Sequence, residues 1–325
     1  MGRAQINVTD EVKFQDHMAV SQIIGFPPGT LYYVSANGGN TDGLFRGSAF
    51  TTLASALAVA GAGDAIYVLP GHTETLSTSG ITLSRSGVSI VGGGNKRNRP
   101  TLTCGAADVS GLTVSGNNNR IHNIRFVGST SQTGAASACL AVSGTDNHVS
   151  GCQFEHGGAG PLQAVSLAAA HRILIENCHW LGTSAGPDMA IKATAAACND
   201  VIVRNCIFNY GSVNVDSAVI GGLAGGGYPG AIFENLIMLG ANSSGIRNLG
   251  SYAATVPDGI IKNVYGVSST GINLAGAMPF DCGGLMLADC FWSDAVASAG
   301  LWLATQQTST SSAVSKGPIL SPGMT

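Results

Sequence analysis

The stretch Ile175-Glu176-Asn177-Cys178-His179-Trp180 is one copy of a repeated pattern that decides the fold of this 325-residue chain. Apolar residues alternate with polar ones on both sides of the central Asn. Such alternation predicts two short β-strands, because successive side chains of a strand point to opposite faces. Asn tolerates the left-handed backbone conformation better than most residues, so its place between the two strands predicts a sharp bend.

The pattern occurs seven times, and its third position steps by 28, 26, 28, 30, 28 and 26 residues along the chain. Every occupant of that position is Asn, Gly or Asp, and the occupants are Asn123, Gly151, Asn177, Asn205, Asn235, Asn263 and Asp289. Pairs of apolar residues two apart, such as Leu140 and Val142, precede most copies and predict a further strand in each repeat. A period of 26–30 residues made of strands is typical of a stacked solenoid.

We therefore predict an all-β fold, a right-handed single-stranded parallel β-helix of about 8 coils of 26–30 residues, with an N-terminal capping helix and extended terminal arms. The capping helix is expected from Ser48 to Ala60, with Ser48 as its N-cap. A leucine-rich horseshoe is the alternative, but it requires shorter repeats with a different Leu spacing. The expected domains are an N-terminal docking arm (1–30), a strand–helix–strand cap (31–80), the parallel β-helix (81–303) and a Ser/Thr-rich C-terminal extension (304–325).

Residues that share a register in stacked coils form columns along the solenoid. The Asn residues of the bend should form a ladder in which each side-chain amide bonds to the next coil, comprising Asn123, Asn177, Asn205, Asn235 and Asn263. The next position should form an interior column that includes Cys152, Cys178, Cys206 and Cys290. Ile, Leu and Val take this position in the other copies, which favours buried thiols over a row of metal-binding thiolates. No two of the eight Cys have Cys-x-x-Cys spacing, so no metal and no other cofactor is expected.

The last position of the pattern forms a column of large residues, comprising Phe126, Phe154, Trp180, Phe208 and Trp292. Alternation places them on the same side as the first apolar residue, which favours a stacked aromatic core over a sugar-binding stripe on the surface. The second position is held in successive copies by Glu176, Arg204, Glu234 and Lys262. Their alternating charges predict a surface ladder of ion pairs across neighbouring strands.

Charge is scarce in this chain, since 10% of residues are charged and the formal net charge is −3. A typical soluble domain has about a quarter of its residues charged. No run reaches the roughly 18 apolar residues of a transmembrane helix, and the near-neutral balance argues against binding to nucleic-acid phosphates. We therefore expect neither a membrane nor a nucleic acid as a partner.

The two terminal segments differ from the repeats. The first carries apolar residues outside the repeat pattern, namely Val12, Phe14, Met18, Ile23, Ile24 and Phe26. We predict that this arm docks on another protein; the alternative is that it packs along the side of its own solenoid. The last segment is rich in Ser and Thr, which alone is typical of disorder, and we expect neighbouring chains to hold it.

Two stretches near the N-terminus carry a resemblance to a known family. Gly25-Phe26-Pro27-Pro28-Gly29-Thr30 and Gly63-Asp64-Ala65-Ile66-Tyr67-Val68-Leu69-Pro70-Gly71-His72-Thr73-Glu74-Thr75 resemble the opening of pectin-lyase-like β-helix proteins of tailed bacteriophages. The resemblance implies a virion component that is made in the host cytoplasm and assembles as a homotrimer. The same fold also serves polysaccharide lyases, tailspike depolymerases and inert structural trimers, so fold alone does not choose among these functions.

Carboxylates decide between these functions, because lyases and glycosidases of this fold need them clustered on one face. The chain has only 18 acidic residues, and the alternating column of Glu176 and its neighbours separates them from one another. His72 and Glu74 are interpreted as a capped turn, and Glu155, His156 and His171 as loop residues. The sequence therefore predicts no catalytic residues, and we expect that the chain is not an enzyme.

The leading hypothesis is a capsid decoration or cement protein, bound through its terminal arms to the major capsid protein or another virion protein. Scarce surface charge and terminal segments suited to docking favour it. The alternative is a tailspike or tail-fibre β-helix that binds or depolymerises host surface polysaccharide.

Overall fold

A computed structural model describes residues 29–77, 79–104, 109–128, 137–156, 163–182, 189–194, 197–210, 218–222, 227–239, 244–247, 259–268, 280–281, 286–294 and 301–307. They form an all-β, right-handed parallel β-solenoid with few helices. The predicted fold class is therefore confirmed at this level. The number of coils and the capping function of the N-terminal helix stay predictions. Within the described part, no helix is long and apolar enough to span a bilayer.

Most of the strands are short because they end at a bend of the coil. In chain order they are β1 (Leu31–Val34), β2 (Ala65–Val68), β3 (Thr73–Thr75), β4 (Ile81–Leu83), β5 (Ser89–Gly92), β6 (Thr101–Thr103), β7 (Leu112–Val114), β8 (Arg120–His122), β9 (Arg125–Val127), β10 (Ala138–Val142), β11 (His148–Ser150), β12 (Gln153–His156), β13 (Gln163–Leu167), β14 (Leu174–Glu176), β15 (His179–Gly182), β16 (Met189–Ala193), β17 (Ile202–Asn209), β18 (Ala218–Gly222), β19 (Ile232–Leu239), β20 (Ser244–Arg247), β21 (Ile260–Ser268), β22 (Phe280–Asp281), β23 (Met286–Asp294) and β24 (Leu301–Gln307).

These strands form two sheets, with 16 strands in sheet A and 8 in sheet B. Sheet B has the order β22-β20-β18-β16-β13-β10-β7-β4, so its neighbours come from successive repeats. Sheet A contains two series, one before the Asn bend (β5, β8, β11, β14) and one after it (β6, β9, β12, β15), which join in β17. The strands β17, β19 and β21 run through the bend and pair with one another along both halves.

All seven positions of the bend have a left-handed backbone, with φ between 51° at Asp289 and 60° at Gly151. A second column of left-handed residues, which the sequence analysis did not identify, precedes the first strand of each pair and contains Gly87, Asn118, Asp146, Arg172, Asp200 and Gly230. Arg172 is an unusual residue for this backbone conformation. Its guanidinium donates two hydrogen bonds of 2.7 Å to the carboxylate of Asp146 in the preceding coil.

The interior is built from apolar columns, as alternation requires. Phe126, Phe154, Trp180 and Phe208 are fully buried and stack with ring-centroid distances of 5.3, 5.0 and 4.4 Å. Offset stacking of this kind adds to the large area that each ring buries. The exposed neighbours of these rings on the same strands form the outer surface of sheet A.

The N-terminal segment is continuous with sheet A, because β1 pairs in parallel with β2 and β2 with β5. Helix α1 (Leu53–Val59) starts later than the sequence suggested, and its N-cap is Thr52 rather than Ser48. The Thr52 hydroxyl accepts a hydrogen bond from the backbone N–H of Ser55, which satisfies a donor at the helix start. Ser48 instead ends a short 3₁₀ turn, Arg46–Ser48, where its side chain bonds to the backbone of Phe45.

At the other end, β24 pairs with β23 and is the one antiparallel partner among the described strands. The predicted boundary between the β-helix and the C-terminal extension, at 303/304, falls inside this strand. An added antiparallel strand covers backbone groups that the last parallel strand would otherwise expose at the sheet edge.

Candidate functional site

A cleft of about 300 Å³ lined by polar side chains lies on the outer face of sheet A, where β8, β11 and β14 are neighbours. Ile121, Val149 and Ile175 at the centres of these strands are buried, so the residues on either side of each face outward. The cleft is lined by Arg120, His122, His148, Ser150, Gly151, Glu176 and Asn177. Three consecutive coils therefore contribute imidazole, guanidinium, hydroxyl and carboxylate groups to one surface.

Glu176 joins its two neighbours in a chain of charge-assisted hydrogen bonds. Its Oε1 lies 2.9 Å from Nε2 of His148, and its Oε2 accepts a bond of 2.8 Å from Nε of Arg204. Partial burial raises the pKa of Glu176, but the hydrogen bonds from Arg204 and His148 outweigh that effect and hold the pKa below its usual value. The carboxylate is thus ionised at neutral pH and can orient the His148 imidazole. It also gives the predicted ladder of Glu176, Arg204, Glu234 and Lys262 its first ion pair.

The imidazole of His122 forms the other side of the cleft. Its Nδ1 lies 3.0 Å from the hydroxyl of Ser150 on the next strand. Burial lowers the pKa of His122, and the electrostatic effects of the neighbouring His148 and Arg99 lower it further. His122 is therefore a neutral imidazole at pH 7, able to exchange a proton with a bound molecule or with Ser150.

Polar groups continue on the strands that follow the bend. Arg125 and Glu155 form an ion pair, with Nε and Oε2 2.9 Å apart. Arg99 donates from Nε to Oδ1 of Asn123 at 2.8 Å and from Nη1 to Oε1 of Gln153 at 3.3 Å. Burial lowers the pKa of His179, and so does the nearby charge of Arg99. Cationic groups thus surround the bend on both sides of the cleft.

Further along the solenoid, exposed apolar residues replace polar ones in one of these registers. Ile207, Ile237 and Tyr265 are direct neighbours on β17, β19 and β21, in the column that also contains Arg125, Gln153 and His179. They are exposed by 38%, 40% and 51%. We call these three residues the apolar column. The outer face of sheet A therefore has a polar part and an apolar part on one continuous framework.

The predicted Asn ladder is present in part of its length. Asn235 donates from Nδ2 to Oδ1 of Asn205 at 3.1 Å, and Asn263 donates to Asn235 at 3.0 Å. Asn123 instead donates to the carbonyl oxygens of Gly92 and Gly94, at 2.8 Å each. Asn177 lies at the edge of the cleft, next to the position of Gly151, where the row of side chains is interrupted.

The Cys column lies in the interior. Cys152, Cys178, Cys206 and Cys290 are buried and unbridged, and their Sγ atoms contact carbonyl oxygens of the adjacent coils. Within the residues that the structure describes, no group of three or more His, Cys, Asp or Glu side chains is arranged to hold a metal. The residues of the predicted docking arm, from Val12 to Phe26, lie outside the described part of the chain.

Sequence reasoning missed Arg120, His122, His148 and Ser150 as a group. The signal was present, because His122 and Ser150 occupy the same position of the pattern as Glu176 and Arg204, two copies earlier. His156 was interpreted as a loop residue, but it lies buried in β12.

His72 and Glu74 hold a structural position. Oε2 of Glu74 accepts a 2.8 Å hydrogen bond from the backbone N–H of Leu53 at the start of α1 and lies 3.2 Å from Nε2 of His72. A carboxylate at this end of the helix satisfies a free donor and opposes the positive end of the helix dipole.

Comparison with known proteins identifies the fold. A rhamnogalacturonan lyase superposes with a TM-score of 0.56 at 15% identity, covering 74% of this chain and 69% of the lyase. An alginate lyase from Paenibacillus sp. str. FPU-7 superposes with a TM-score of 0.53 at 17% identity, covering 74% and 83%. The tailspike protein of E. coli bacteriophage HK620 gives a TM-score of 0.44 at 10% identity, covering 88% and 59%. No protein-family model and no curated protein sequence matches the chain.

These comparisons overturn one prediction from the sequence. The expectation that the chain is not an enzyme is contradicted, because the solved structures that share its fold include a rhamnogalacturonan lyase and an alginate lyase. The expectation was based on the scarcity of carboxylates and on their separation by residues of opposite charge. It took no account of His122, His148 and the surrounding guanidinium groups, which can move protons and bind anions without a carboxylate cluster.

Proposed function

We propose that this protein binds an acidic cell-surface polysaccharide along the cleft and cleaves it, as a tailspike-type β-helix. The observation that carries the proposal is the 2.9 Å contact between His148 and Glu176 in an open cleft flanked by Arg120 and Arg204. An imidazole oriented by an ionised carboxylate is a general base, and guanidinium groups match the planar geometry of a sugar carboxylate. An open face of a solenoid suits a polymer that extends beyond the site at both ends.

The chemistry best suited to these groups is elimination next to a carboxylate. His148 would take the proton from the ring carbon that carries the carboxylate, while Arg120 neutralises the charge of that carboxylate. The electron pair left on the carbon forms a carbon–carbon double bond, and the bond to the glycosidic oxygen breaks. The departing oxygen takes a proton from the solvent through the hydroxyl of Ser150, and His148 returns the proton that it accepted to the solvent, which completes the balance of protons.

The test is to incubate the purified protein with alginate and with polygalacturonate. Elimination produces an unsaturated sugar that absorbs ultraviolet light, whereas hydrolysis produces new reducing ends without this absorbance. We expect the absorbance to rise with the parent protein and not with His148→Ala, while Ile237→Ala serves as a surface control with full activity. The proposal would be contradicted if neither polymer gave either product and neither polymer bound to the protein.

A second candidate is the virion decoration role, which the apolar column favours. Contiguous exposed apolar residues on a soluble protein mark surfaces that contact other proteins. In this role the chain would form a homotrimer and bind the major capsid protein or another virion protein through its terminal arms, in particles assembled in the host cytoplasm. Deleting residues 1–28 and counting copies per particle tests it, because unchanged occupancy would contradict docking through the arm.

A further inference from the structure

The bend column is interrupted at one position, Gly151. The other six positions carry Asn or Asp, and only Gly151 has no side chain. It has the same left-handed backbone as its neighbours, with φ of 60°. Asn would be tolerated in this conformation, as it is at Asn123 and Asn177, so the backbone does not require Gly here. The gap opens directly into the cleft, of which Gly151 forms part of the wall.

Arg99 takes over the bond that the missing side chain would make. In the intact ladder, the amide of each Asn donates to Oδ1 of the Asn one coil earlier, as Asn235 does to Asn205. At the gap, Oδ1 of Asn123 instead accepts from Nε of Arg99, at 2.8 Å. At this coil, a cationic guanidinium therefore donates the bond that a neutral amide donates elsewhere in the ladder.

The guanidinium has capacity to bind a further group. Arginine offers five N–H donors in a planar fork, and the contacts described above direct one to Asn123 and one to Gln153. Arg99 also lies close enough to His122 and His179 for its charge to act on both imidazoles. The cation of Arg99 is bonded to Asn123, whose backbone N lies 3.9 Å from the position of a Cβ at Gly151, next to the His122 side of the cleft.

We infer that the gap at Gly151 is a subsite that accepts the carboxylate of an acidic sugar and holds it on the guanidinium of Arg99. The inference rests on the proposed function and adds to it the position that selects charged sugars. Gly at this position admits the ligand to the floor of the cleft, while Arg99 replaces the lost ladder bond and supplies the charge.

Gly151→Asn tests the inference by restoring the ladder. A Cβ at position 151 would lie 3.3 Å from Cε1 of His122, a tight contact that a small movement of that side chain relieves. We expect the thermal midpoint to be equal to or above that of the parent, because Asn suits the backbone and reduces the freedom of the unfolded chain. Affinity for a polygalacturonate hexamer should fall at least about tenfold, because the new side chain fills the subsite.

Gly87→Asn is the matched control. Gly87 is also left-handed, with φ of 73°, and a Cβ there would lie 3.4 Å from the nearest atom, the backbone N of Gly63, at a position that does not line the cleft. The control should bind the hexamer as the parent does. Equal binding by Gly151→Asn and the parent would overturn the inference and leave the proposed function standing. If the parent itself binds no acidic oligomer, the proposed function is wrong, and the inference, which rests on it, is wrong as well.

Arg99→Gln provides a second test that does not depend on the first variant folding. It retains an amide donor toward Asn123 but removes the charge. We expect its affinity for the polygalacturonate hexamer to fall about tenfold or more, with little change for the methyl-esterified hexamer, which carries no carboxylate charge. A parent-like affinity of Arg99→Gln for the charged hexamer, or an equal loss for both ligands, would overturn the inference.

Discussion

The two faces of the same strands of sheet A follow different rules. On the inner face, each column repeats one kind of residue from coil to coil, as in the stacked rings from Phe126 to Phe208. On the outer face, the column that contains Arg125 and Gln153 also contains Ile237 and Tyr265 further along the solenoid. The inner columns must fit the coils above and below at near-crystalline density, whereas outer residues meet solvent and are free to vary. The inner face therefore determines the fold, and the outer face carries the candidate site.

The largest expected effect is on the inner face. Trp180→Ala should lower the free energy of unfolding by about 4 kcal/mol, because it removes the central ring of the stack and leaves a cavity. Ile237→Ala, on the outer face, should change it by less than about 0.5 kcal/mol. Urea denaturation of both variants measures the difference. A similar loss of free energy of unfolding in the two variants would show that the inner face contributes no more to stability than the outer face.

His156 is an exception on the inner face, and acid should reveal it. Burial lowers its pKa from 6.5 to about 4. As the pH falls through 6.5, the unfolded chain binds a proton on this imidazole, but the folded chain does so only near pH 4. The contribution of His156 to the free energy of unfolding is therefore complete above pH 6.5. It should decline by about 3 kcal/mol as the pH falls from 6.5 to about 4. Urea denaturation at several pH values in this range should show that His156→Gln lacks this decline. An equal decline in the variant and the parent would refute the assignment to His156.

On the outer face, the comparison concerns activity. Glu176→Gln should reduce the rate of polysaccharide cleavage about a hundredfold, because the neutral amide no longer stabilises a protonated His148. Glu234→Gln is the control, since Glu234 lies two coils further along the same column and outside the cleft. Its rate should match that of the parent, and urea denaturation should show that both variants are folded. Equal loss of rate in the two variants would mean that the column acts only through its overall charge.

Among the substitutions expected to have an effect, the smallest should be at the Asn bend, which separates the two halves of each strand pair. Asn235→Ala should lower the free energy of unfolding by about 1–2 kcal/mol, because Ala is strained in the left-handed conformation and the side-chain bonds to Asn205 and Asn263 are lost. Asn235→Gly relieves the strain but not the lost bonds, so it should cost less. Thermal denaturation separates the two terms, and a Gly variant less stable than the Ala variant would reverse this order.

Much of the framework was predictable because it repeats. The seven bend positions and the register of Glu176, Arg204, Glu234 and Lys262 follow from spacing alone, and the structure has both. The second column of left-handed residues was missed, although its members are mostly Gly, Asn and Asp at similar steps. The start of α1 was also missed, because Ser48 and Thr52 are equally good N-caps and only the surrounding backbone selects between them.

The sequence by itself determined the stacked β-fold, since a strict period with apolar residues on one side has few other ways to bury them. Only the tertiary structure decided which polar residues form a site. His122, His148 and Glu176 are 26 to 28 residues apart in the sequence, and each alone has the appearance of a solvated strand residue. Stacking of the coils brings them onto neighbouring strands about 4.8 Å apart. Arg99 reaches the gap at Gly151 from outside the repeat, so no periodic pattern could have placed it there.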